Sequence, residues 1–528
     1  MDSFDAIIIG LEMNIYWLNP PPRTTVLVPD VGWMNFNTHC PEYNWIQPII
    51  DWSDYADVED VVDHIVASNT DVLCLSTYLW NTLLCHTVAK EVKQRLPDVI
   101  IIQGGPQQGY TDTFFQSHPY VDYLCYATGH GEDFLVEALA QIKKYGSIIF
   151  PNNVPFLISR SYTSTTTKGK FLFSEQSSLE NNISYISELV AESKIKNKKT
   201  SIPFETARGC PYSCTYCEWG GGTGTKVSRK SQERIFREID LVSILGIDEV
   251  EIIDANFGIF NKDIEVLEYM VSQRKVTGYP KQLMVYGLAK VDPKKKDAIL
   301  DAMFREGLME TYSMSIQSAS EEVLVASKRT DISVDDQLML ARKYIEKYNA
   351  SIKVEVILGL PASTLATFYE EMDFFQECDT WYQARNIFCL LPNTEAYTKE
   401  YRDKYGIESV KVIYVETEEE NHSTASSGVI AKFKSTLDIV VATNTYTKEE
   451  WKEMFFMNRA QRILGPKLNG AKASVYMKEW FAKVKSEQWY KQIDDWTTKL
   501  VDGELFDVDY NTVNGVPIEQ IIEDNCEL

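Results

Sequence analysis

Basic residues, histidines and long apolar runs are all scarce in this chain of 528 residues. Lys and Arg number 52 against 76 Asp and Glu, which gives a formal net charge of −24. Because nucleic-acid binding relies on Lys and Arg that neutralise phosphates, this charge disfavours a DNA or RNA substrate. No apolar run approaches the length of a bilayer-spanning helix, and residues 1–10 lack the lysines of a signal peptide. We therefore expect a cytoplasmic protein that neither crosses a membrane nor binds nucleic acid.

Most of the ten cysteines are scattered along the chain, which is typical of small buried residues in a cytosolic protein. The other three lie together on one predicted loop: Cys210, Cys214 and Cys217. Thiolates suit both zinc and iron–sulfur clusters. Structural zinc takes four protein ligands, and the nearest histidines in sequence are the distant His130 and His422. Three thiolates therefore favour a [4Fe–4S] cluster with one open iron over a zinc site or three buried cysteines.

Short apolar runs alternate with helical stretches through residues 1–160, the first predicted domain. The predicted strands are Thr25–Val28, Asp71–Ser76, Val99–Gln103 and Tyr123–Tyr126. This alternation predicts an α/β fold with a doubly wound parallel sheet. Ligands of such sheets bind at the carboxyl ends of the strands, which is where Gly104, Gly105, Gly129 and Gly131 lie in this sequence.

Residues 161–200 break the alternation and are interpreted as a linker with one helix, Asn182–Glu192. Alternation resumes over residues 201–405, where about six βα units predict a partial (β/α)6 TIM barrel. Its predicted strands are Pro203–Thr206, Glu249–Ile253, Leu283–Tyr286, Thr311–Ile316, Lys353–Leu358 and Asn386–Leu390. Residues 406–528 open with an acidic segment and are predicted to form a mainly helical C-terminal cap.

The Cys-x3-Cys-x2-Cys spacing, with Tyr216 immediately before the last cysteine, resembles the radical S-adenosylmethionine (SAM) family. The resemblance implies that Cys210, Cys214 and Cys217 hold a [4Fe–4S] cluster whose open iron chelates the amino and carboxylate groups of SAM. An electron from the cluster would then release a 5′-deoxyadenosyl radical.

Later segments resemble the SAM-contacting segments of the same family. The motif that contains Asp254 and Asn256 has an Asp-x-Asn-Phe form in place of the commoner Gly-Gly-Glu, and Ala319 stands where a glycine is usual. The resemblance implies eight SAM-contacting residues: Tyr216, Asp254, Asn256, Ser315, Gln317, Glu355, Gly359 and Leu360. Any one of these segments alone could equally be an ordinary turn at a strand end.

The amino-terminal region resembles the cobalamin-binding domain that precedes many such barrels. The implied contacts are Ser76, Tyr78, Trp80, Asn81, Gly104, Gly105, Pro106, Gly129, Gly131 and Glu132. The Asp-x-His-x-x-Gly motif that supplies a cobalt ligand in classical cobalamin proteins is absent, so the sequence identifies no histidine ligand for the lower face of cobalt. His64 and His86 are interpreted as ordinary helix histidines, and Trp80 as packing near that face. The alternative is a plain doubly wound domain with glycine turns.

The resemblance implies a cobalamin-dependent radical SAM enzyme, a C-methyltransferase that uses a 5′-deoxyadenosyl radical and methylcobalamin on an unactivated carbon. Two alternatives remain: a non-methylating rearrangement or cyclisation on the same architecture, and a non-catalytic cobalamin-binding regulator. The intact cysteine triad argues against the regulator. A methylthiotransferase is disfavoured, because Cys40, Cys74, Cys85 and Cys125 do not reproduce its spacing. The implied partners are a flavodoxin or ferredoxin electron donor and a small-molecule or peptide substrate.

Overall fold

The computed structural model divides the chain into two compact units, residues 1–200 with 425–433 and residues 201–424 with 434–528. It describes residues 12–22, 24–107, 113–126, 131–163, 176–219, 227–285, 287–288, 290, 292–330, 333–377, 383–413, 427–433, 436–468, 472–505 and 509–525. The predicted linker therefore belongs to the first unit, and the predicted barrel and cap share the second. The four-part division of the chain stays a prediction.

Strands and helices alternate along the first unit. Its strands are β1 (Asn14–Leu18), β2 (Val26–Leu27), β3 (Asn44–Trp45), β4 (Val72–Ser76), β5 (Ile100–Gly104), β6 (Tyr123–Cys125), β7 (Leu157–Ser159) and β8 (Tyr162–Thr163). Its helices are α1 (Val31–His39), α2 (Val58–Ala67), α3 (Thr82–Arg95), α4 (Phe114–Ser117), α5 (Gly131–Tyr145), α6 (Ser178–Asn181) and α7 (Ile183–Ile195).

Seven of these strands form one sheet in the order β3-β1-β4-β5-β6-β7-β8. The first five are parallel, and β7 and β8 are antiparallel. Every residue of β4 is buried, as expected for a parallel strand covered on both faces. The order of the parallel strands reverses between β1 and β4, and this switch point is where doubly wound sheets bind ligands.

The predicted first strand, Thr25–Val28, is wrong as a member of this sheet. Its central residues form β2, which pairs instead with Lys199 and Thr200. The strand that lies in the sheet is β1, in a stretch that the sequence analysis left unassigned. The β1 stretch mixes polar and aromatic residues and so lacks a clear apolar run. The strands β4 to β6 lie within one or two residues of their predicted positions.

The core of the first unit includes a short segment from much later in the chain, residues 427–433. Val429 and Ile430 belong to the same apolar cluster as Trp52 and Val62. The Val429 amide also donates to the Tyr55 carbonyl over 2.7 Å. The first unit is therefore assembled from two stretches of sequence separated by more than two hundred residues.

The second unit holds two parallel sheets and a helical C-terminal part. Its strands are β9 (Lys199–Phe204, which begins in the first unit), β10 (Ala207–Arg208), β11 (Ser228–Arg229), β12 (Glu249–Ile252), β13 (Gln282–Val285), β14 (Thr311–Gln317), β15 (Ser351–Leu358), β16 (Gln383–Ile387), β17 (Glu408–Ile413), β18 (Thr436–Ala442), β19 (Thr512–Val513) and β20 (Val516–Pro517). Its helices are α8 (Gln232–Leu245), α9 (Asp263–Thr277), α10 (Pro293–Arg305), α11 (Glu321–Ala326), α12 (Val334–Tyr348), α13 (Leu365–Glu377), α14 (Lys399–Tyr405), α15 (Lys448–Leu464), α16 (Ala473–Val484), α17 (Gln488–Val501) and α18 (Ile518–Asn525).

Six parallel strands of this unit match the six predicted barrel strands. They form two groups, β13-β12-β9 and β14-β15-β16. Among the described residues no ladder joins β13 to β14. Burial alternates along β14 and β15, so one face of each strand packs inward. The parallel α/β architecture is thus confirmed, and the closure of these strands into a partial (β/α)6 barrel stays a prediction.

The C-terminal part is mainly helical, as predicted, and it also contains two antiparallel strand pairs, β17 with β18 near its start and β19 with β20 near its end. The strands β17 and β18 pair antiparallel, and the Val440 amide also donates to the Phe388 carbonyl over 2.8 Å. The sequence analysis did not predict the pairing of β17 with β18, because an acidic segment separates the two strands. No helix in the described part of either unit is long and apolar enough to cross a membrane.

Candidate cofactor sites

The three predicted cluster cysteines lie on one loop at the carboxyl end of β9. The short antiparallel pair of β10 and β11 closes the base of this loop. Cys210 and Cys214 are buried, and Cys217 is partly exposed. The strand pair fixes where the loop begins and ends, so the three thiols are held in a small region of the second unit.

Two N–H groups from neighbouring strand ends donate to the sulfur atoms. The Asn256 amide nitrogen Nδ2 donates to Cys210 Sγ over 3.3 Å, and the Lys290 ammonium Nζ donates to Cys214 Sγ over 2.7 Å. Asn256 follows β12, and Lys290 follows β13. Two of the three cysteine sulfurs therefore accept a hydrogen bond from outside the loop.

The loop is also bonded to the segment that follows β14. The Thr215 amide donates to the Ser327 carbonyl over 3.0 Å. Arg329 is buried, and its guanidinium donates both to the Tyr216 hydroxyl, over 2.8 Å, and to the Ser315 carbonyl. Arg329, which follows α11, therefore links the aromatic residue before the last cysteine to the carboxyl-terminal part of β14, where the resemblance predicts a SAM contact.

Asp254 has a structural partner in the described residues. Its carboxylate accepts from the Thr206 amide over 2.7 Å and from the Thr206 hydroxyl. Burial raises the pKa of Asp254 to about 7, although the hydrogen bonds from Thr206 act in the opposite direction. Asp254 thus ties the end of β12 to the end of β9.

The predicted contacts on β14 and β15 meet across the sheet. Ser315 and Glu355 are register partners, and the serine hydroxyl donates to the glutamate carboxylate. Next to them the register shifts, and Gln317 adopts a left-handed backbone with φ 68°. This conformation is uncommon for glutamine and marks the strand end as a constrained position.

Gly359 and Leu360 follow β15 and differ in their surroundings. The Tyr446 hydroxyl donates to the Gly359 carbonyl over 2.6 Å, and a Cβ on Gly359 would lie 2.8 Å from that hydroxyl oxygen. Leu360 is fully buried in an apolar cluster with Phe388 and Val440. Its side chain therefore packs in the core, which leaves the backbone as the part of Leu360 that a cofactor could contact.

The donor set of the cysteine loop fits an iron–sulfur cluster. Among the described residues, no three His, Cys, Asp or Glu side chains converge tightly enough to hold a single metal ion. A structural zinc would need four ligands around one point, whereas the ligands of a [4Fe–4S] cluster bind different irons. Soft thiolates with N–H donors on two of their sulfurs are chemically suited to such a cluster.

In the first unit, the predicted cobalamin contacts after β4 surround the switch point of the sheet. The Asn81 amide group donates to the carbonyls of Pro20, after β1, over 3.0 Å and of Ser76, at the end of β4, over 3.1 Å. The Tyr78 amide donates back to Asn81 Oδ1 over 2.7 Å. These bonds fix the turn that carries Trp80.

The rings of Tyr78 and Trp80 stack nearly parallel, with centroids 4.6 Å apart. The Trp80 indole N–H is buried, and none of the described residues accepts a hydrogen bond from it. A buried donor without a partner costs stability, so its persistence favours a ligand or water that accepts from it.

The glycine pair after β5 combines one tight position with one open position. A Cβ on Gly105, which has φ 97°, would lie 2.3 Å from the Thr77 carbonyl oxygen, whereas no atom of the described residues lies within 4 Å of a Cβ on Gly104. Gly131, at the start of α5, is open in the same way. Packing within the protein therefore does not require glycine at Gly104 or Gly131, which fits a bulky ligand close to the backbone.

Two of the three remaining predicted cobalamin residues lie in the described part of the chain. Pro106 directly follows the glycine pair, Glu132 lies in the first turn of α5, and Gly129 lies outside the described residues. His64 and His86 lie on helices and contact the hydroxyls of Tyr55 and Tyr120. Burial, together with the charge of a neighbouring histidine, lowers the pKa of His86 to about 3.

Sequence reasoning missed several residues that organise these sites. They are Thr206, Lys290, Arg329, Tyr446 and Trp451. Thr206 and Lys290 lie at strand ends, so their positions in a parallel sheet were a usable signal. Tyr446 and Trp451 reach the end of β15 from the C-terminal part, which no local pattern reveals.

Comparisons with known proteins agree with this geometry. The family model of the Radical SAM superfamily matches residues 204–375. The cobalamin-dependent radical SAM methyltransferase TokK of Streptomyces tokunonensis is 30% identical over 421 residues, 78% of this chain and 58% of the relative. The 2-(S-pantetheinyl)-carbapenam-3-carboxylate methyltransferase of Streptantibioticus cattleyicolor is 30% identical over 77% of this chain and 58% of the relative. The chain thus spans less than two thirds of the length of these relatives.

Solved structures show the same fold. The methyltransferase TsrM from Kitasatospora setae, with cobalamin and a [4Fe–4S] cluster bound, gives a TM-score of 0.60 at 14% identity, over 86% of this chain and 89% of TsrM. OxsB, a cobalamin-dependent SAM radical enzyme, gives 0.58 at 12% identity, over 98% of this chain and 84% of OxsB. The predicted resemblance is confirmed: residues 204–375 match the Radical SAM superfamily, and the chain is similar to cobalamin-dependent radical SAM enzymes.

Proposed function

We propose that this chain is a cobalamin-dependent radical SAM methyltransferase that acts on an unactivated carbon. One observation carries the proposal: the same chain has a loop of three thiols in its second unit and an open, glycine-bordered switch point in its first. The similarity to two methyltransferases over more than three quarters of the chain supports it.

Each cofactor would be held by its own set of residues. Cys210, Cys214 and Cys217 would bind the [4Fe–4S] cluster. SAM would contact Tyr216, Asp254, Asn256, Ser315, Gln317, Glu355, Gly359 and Leu360. Cobalamin would contact Ser76, Tyr78, Trp80, Asn81, Gly104, Gly105, Pro106, Gly129, Gly131 and Glu132. The two sheets of the second unit would be parts of one partial barrel.

The protein's own residues contribute position and shielding. When bound, the cluster and SAM supply a carbon radical, and cobalamin supplies the methyl group. Arg329 fixes Tyr216 against the end of β14, and Asp254 fixes the strand end that leads into the cysteine loop. Asn81 holds the turn on which Tyr78 and Trp80 form a flat aromatic wall. These contacts involve only the chain's own residues, so they would hold both sites in a defined geometry.

The substrate class follows from the relatives and from charge. A net charge of −24 disfavours a nucleic acid, which leaves a small molecule or a peptide. Because one relative is named for 2-(S-pantetheinyl)-carbapenam-3-carboxylate, that compound is the first substrate to test. A flavodoxin or ferredoxin would supply the electron.

A second candidate function keeps both cofactors and transfers no methyl group. The likeness to OxsB favours it, because that protein is described as a cobalamin-dependent SAM radical enzyme without mention of methyl transfer. A methylating enzyme must release S-adenosylhomocysteine as well as 5′-deoxyadenosine. A rearranging enzyme forms 5′-deoxyadenosine and has no need to release S-adenosylhomocysteine.

The test uses protein purified without oxygen from cells that are supplied with cobalamin. The protein is incubated with a reductant, the carbapenam probe and SAM that carries a deuterated methyl group. We expect about four irons and one corrinoid per chain, both nucleoside products, and deuterium in the probe. 5′-Deoxyadenosine without S-adenosylhomocysteine would favour the rearranging enzyme. Bound corrinoid without SAM cleavage would favour a non-catalytic cobalamin-binding regulator.

A further inference from the structure

We infer that Lys290 and Asn256 set the reduction potential of the cluster through the sulfurs of Cys214 and Cys210. The inference rests on the proposed function, since it concerns the cluster that these thiols would hold. Neither residue carries a thiol or an acid, so neither is a metal ligand. Their importance lies in where their N–H groups point.

The two donors approach different sulfurs from adjacent strand ends. Lys290 Nζ lies 2.7 Å from Cys214 Sγ, and Asn256 Nδ2 lies 3.3 Å from Cys210 Sγ. A sulfur bound to iron keeps lone pairs that can accept an N–H hydrogen bond. Hydrogen bonds to the sulfurs and nearby charge are among the factors that set the potential of an iron–sulfur cluster.

Lys290 is held in place by the cysteine loop itself. Its ammonium group lies 4.1 Å from the centroid of the Tyr212 ring, a cation–π contact. The Tyr212 hydroxyl donates to the Lys290 carbonyl over 3.3 Å. A long, flexible side chain is thereby fixed on one sulfur, so its charge acts at a defined distance.

The sign of the effect follows from charge. Reduction adds one negative charge to a site that already contains three thiolates, and an adjacent cation stabilises that charge. The acidic surface of the chain acts in the opposite direction, but exposed charges farther away than about 8 Å are largely screened at physiological salt. Asn256 offers only a neutral N–H group, so its contribution is the smaller of the two.

The experiment is a redox titration of the cluster, followed by electron paramagnetic resonance without added SAM. In K290M, the ratio of reduced to oxidised cluster at a fixed potential should fall about tenfold, which for a one-electron couple is a shift of about 59 mV. N256A should lower that ratio about threefold. K290R keeps the cation and should stay within about twofold of the wild type.

The matched control is K295M. Lys295 lies five residues farther along and donates to the Ile259 carbonyl over 3.4 Å, not to a sulfur. Its loss should leave the ratio unchanged. A K290M ratio within twofold of the K295M ratio overturns the inference. Weaker SAM binding in K290M at an unchanged ratio overturns it as well, because Lys290 would then act on SAM rather than on the cluster.

Two further outcomes separate this inference from the proposed function. If K290M does not retain iron, K290Q replaces it in the same titration and is judged by the same twofold limit. If K290Q keeps the wild-type ratio, the inference fails while the proposed function stands. If the wild-type chain binds no cluster, the proposed function fails and this inference fails with it.

Discussion

The two units of this chain build their candidate sites in opposite ways. In the first unit, open glycine positions and a turn tied to the backbone by Asn81 leave room beside the strand ends. In the second unit, side chains such as Lys290, Arg329 and Asp254 each donate to or accept from a specific atom of the site. We therefore expect ligand binding in the first unit to be most sensitive to substitutions that add a group, and ligand binding in the second unit to those that remove a side chain.

The largest expected effect tests the second unit. Cys214→Ala should lower iron from about four atoms per chain to well below one, because two thiolates cannot hold the cluster. Corrinoid content should stay near one per chain, since the predicted cobalamin residues lie in the first unit. Metal analysis and optical spectra measure both. Cys389→Ala, a cysteine of the same unit outside the loop, should keep its iron. Equal iron loss in both variants would contradict the cluster assignment.

The next effect tests the first unit by adding one methyl group. Gly105→Ala places a Cβ 2.3 Å from the Thr77 carbonyl oxygen at a left-handed φ of 97°. We expect a loss of about 3 kcal/mol in the free energy of unfolding and the loss of corrinoid. Urea denaturation and corrinoid titration measure the two. Gly146→Ala has a similar φ with nothing within 4 Å, and should cost only about 1 kcal/mol. An equal loss of unfolding free energy at the two positions would refute the close approach of Gly105 to the Thr77 carbonyl.

Gly104→Ala separates ligand space from stability in the same unit. Its Cβ would meet nothing within 4 Å, so the free energy of unfolding should change by less than about 0.5 kcal/mol. Corrinoid affinity should nevertheless fall about tenfold, a change worth about 1.4 kcal/mol, if the ligand fills that space. Unchanged affinity in a calorimetric titration would remove Gly104 from the cobalamin site.

Removing a side chain from the second unit should have an effect of similar size. Arg329→Met leaves the Tyr216 hydroxyl and the Ser315 carbonyl without their buried partner, which should cost about 2 kcal/mol in the free energy of unfolding. SAM affinity should fall with it, because both ends of the proposed SAM site lose a fixed contact. Arg305→Met, on the exposed side of α10, is the control for loss of an arginine. A SAM dissociation constant equal to that of the control would count against a positioning role.

The smallest expected effect is the pH dependence, about 1 kcal/mol, of a charged contact in the first unit that lies away from its candidate site. Burial of Asp51 opposes its ionisation, but hydrogen bonds from Lys198, Ser53 and Lys196 outweigh burial and lower the pKa of Asp51 to about 2. The folded state therefore binds this proton less readily than the unfolded state does. The stabilisation is complete above the unfolded pKa near 4 and is lost as the pH falls towards 2.

Asp51→Asn should accordingly cost about 2 kcal/mol at pH 7 and about 1 kcal/mol at pH 3. Urea midpoints of the two proteins at each pH give the difference. Asp54→Asn removes a mostly exposed partner of Lys196 and should change stability little at either pH. If the difference in unfolding free energy between Asp51→Asn and the wild type does not change with pH, the charge of Asp51 is not the cause of its stabilising effect.

The sequence predicted the parallel strands and the cysteine loop because their signals are local. The β4 strand is an apolar run, β15 alternates polar with apolar residues, and the spacing of the three cysteines needs only one loop. The β1 strand was missed because its aromatic residues conceal the alternation, and β18 because its partner lies across an acidic segment. Lys290 and Tyr446 escaped for a different reason. Each contacts a residue that is distant in sequence and that only the fold places beside it.

The late segment in the first unit has a consequence for synthesis on the ribosome. Val429 and Ile430 complete the apolar cluster around Trp52, and the Ser427 amide donates to the Thr24 hydroxyl over 2.8 Å. Domains commonly fold in order as they emerge from the ribosome. Here the amino-terminal unit has an incomplete core until residue 433 has been translated, after most of the second unit has emerged. The nascent chain must therefore carry an unfinished apolar surface through most of its synthesis, and this surface is a target for chaperones.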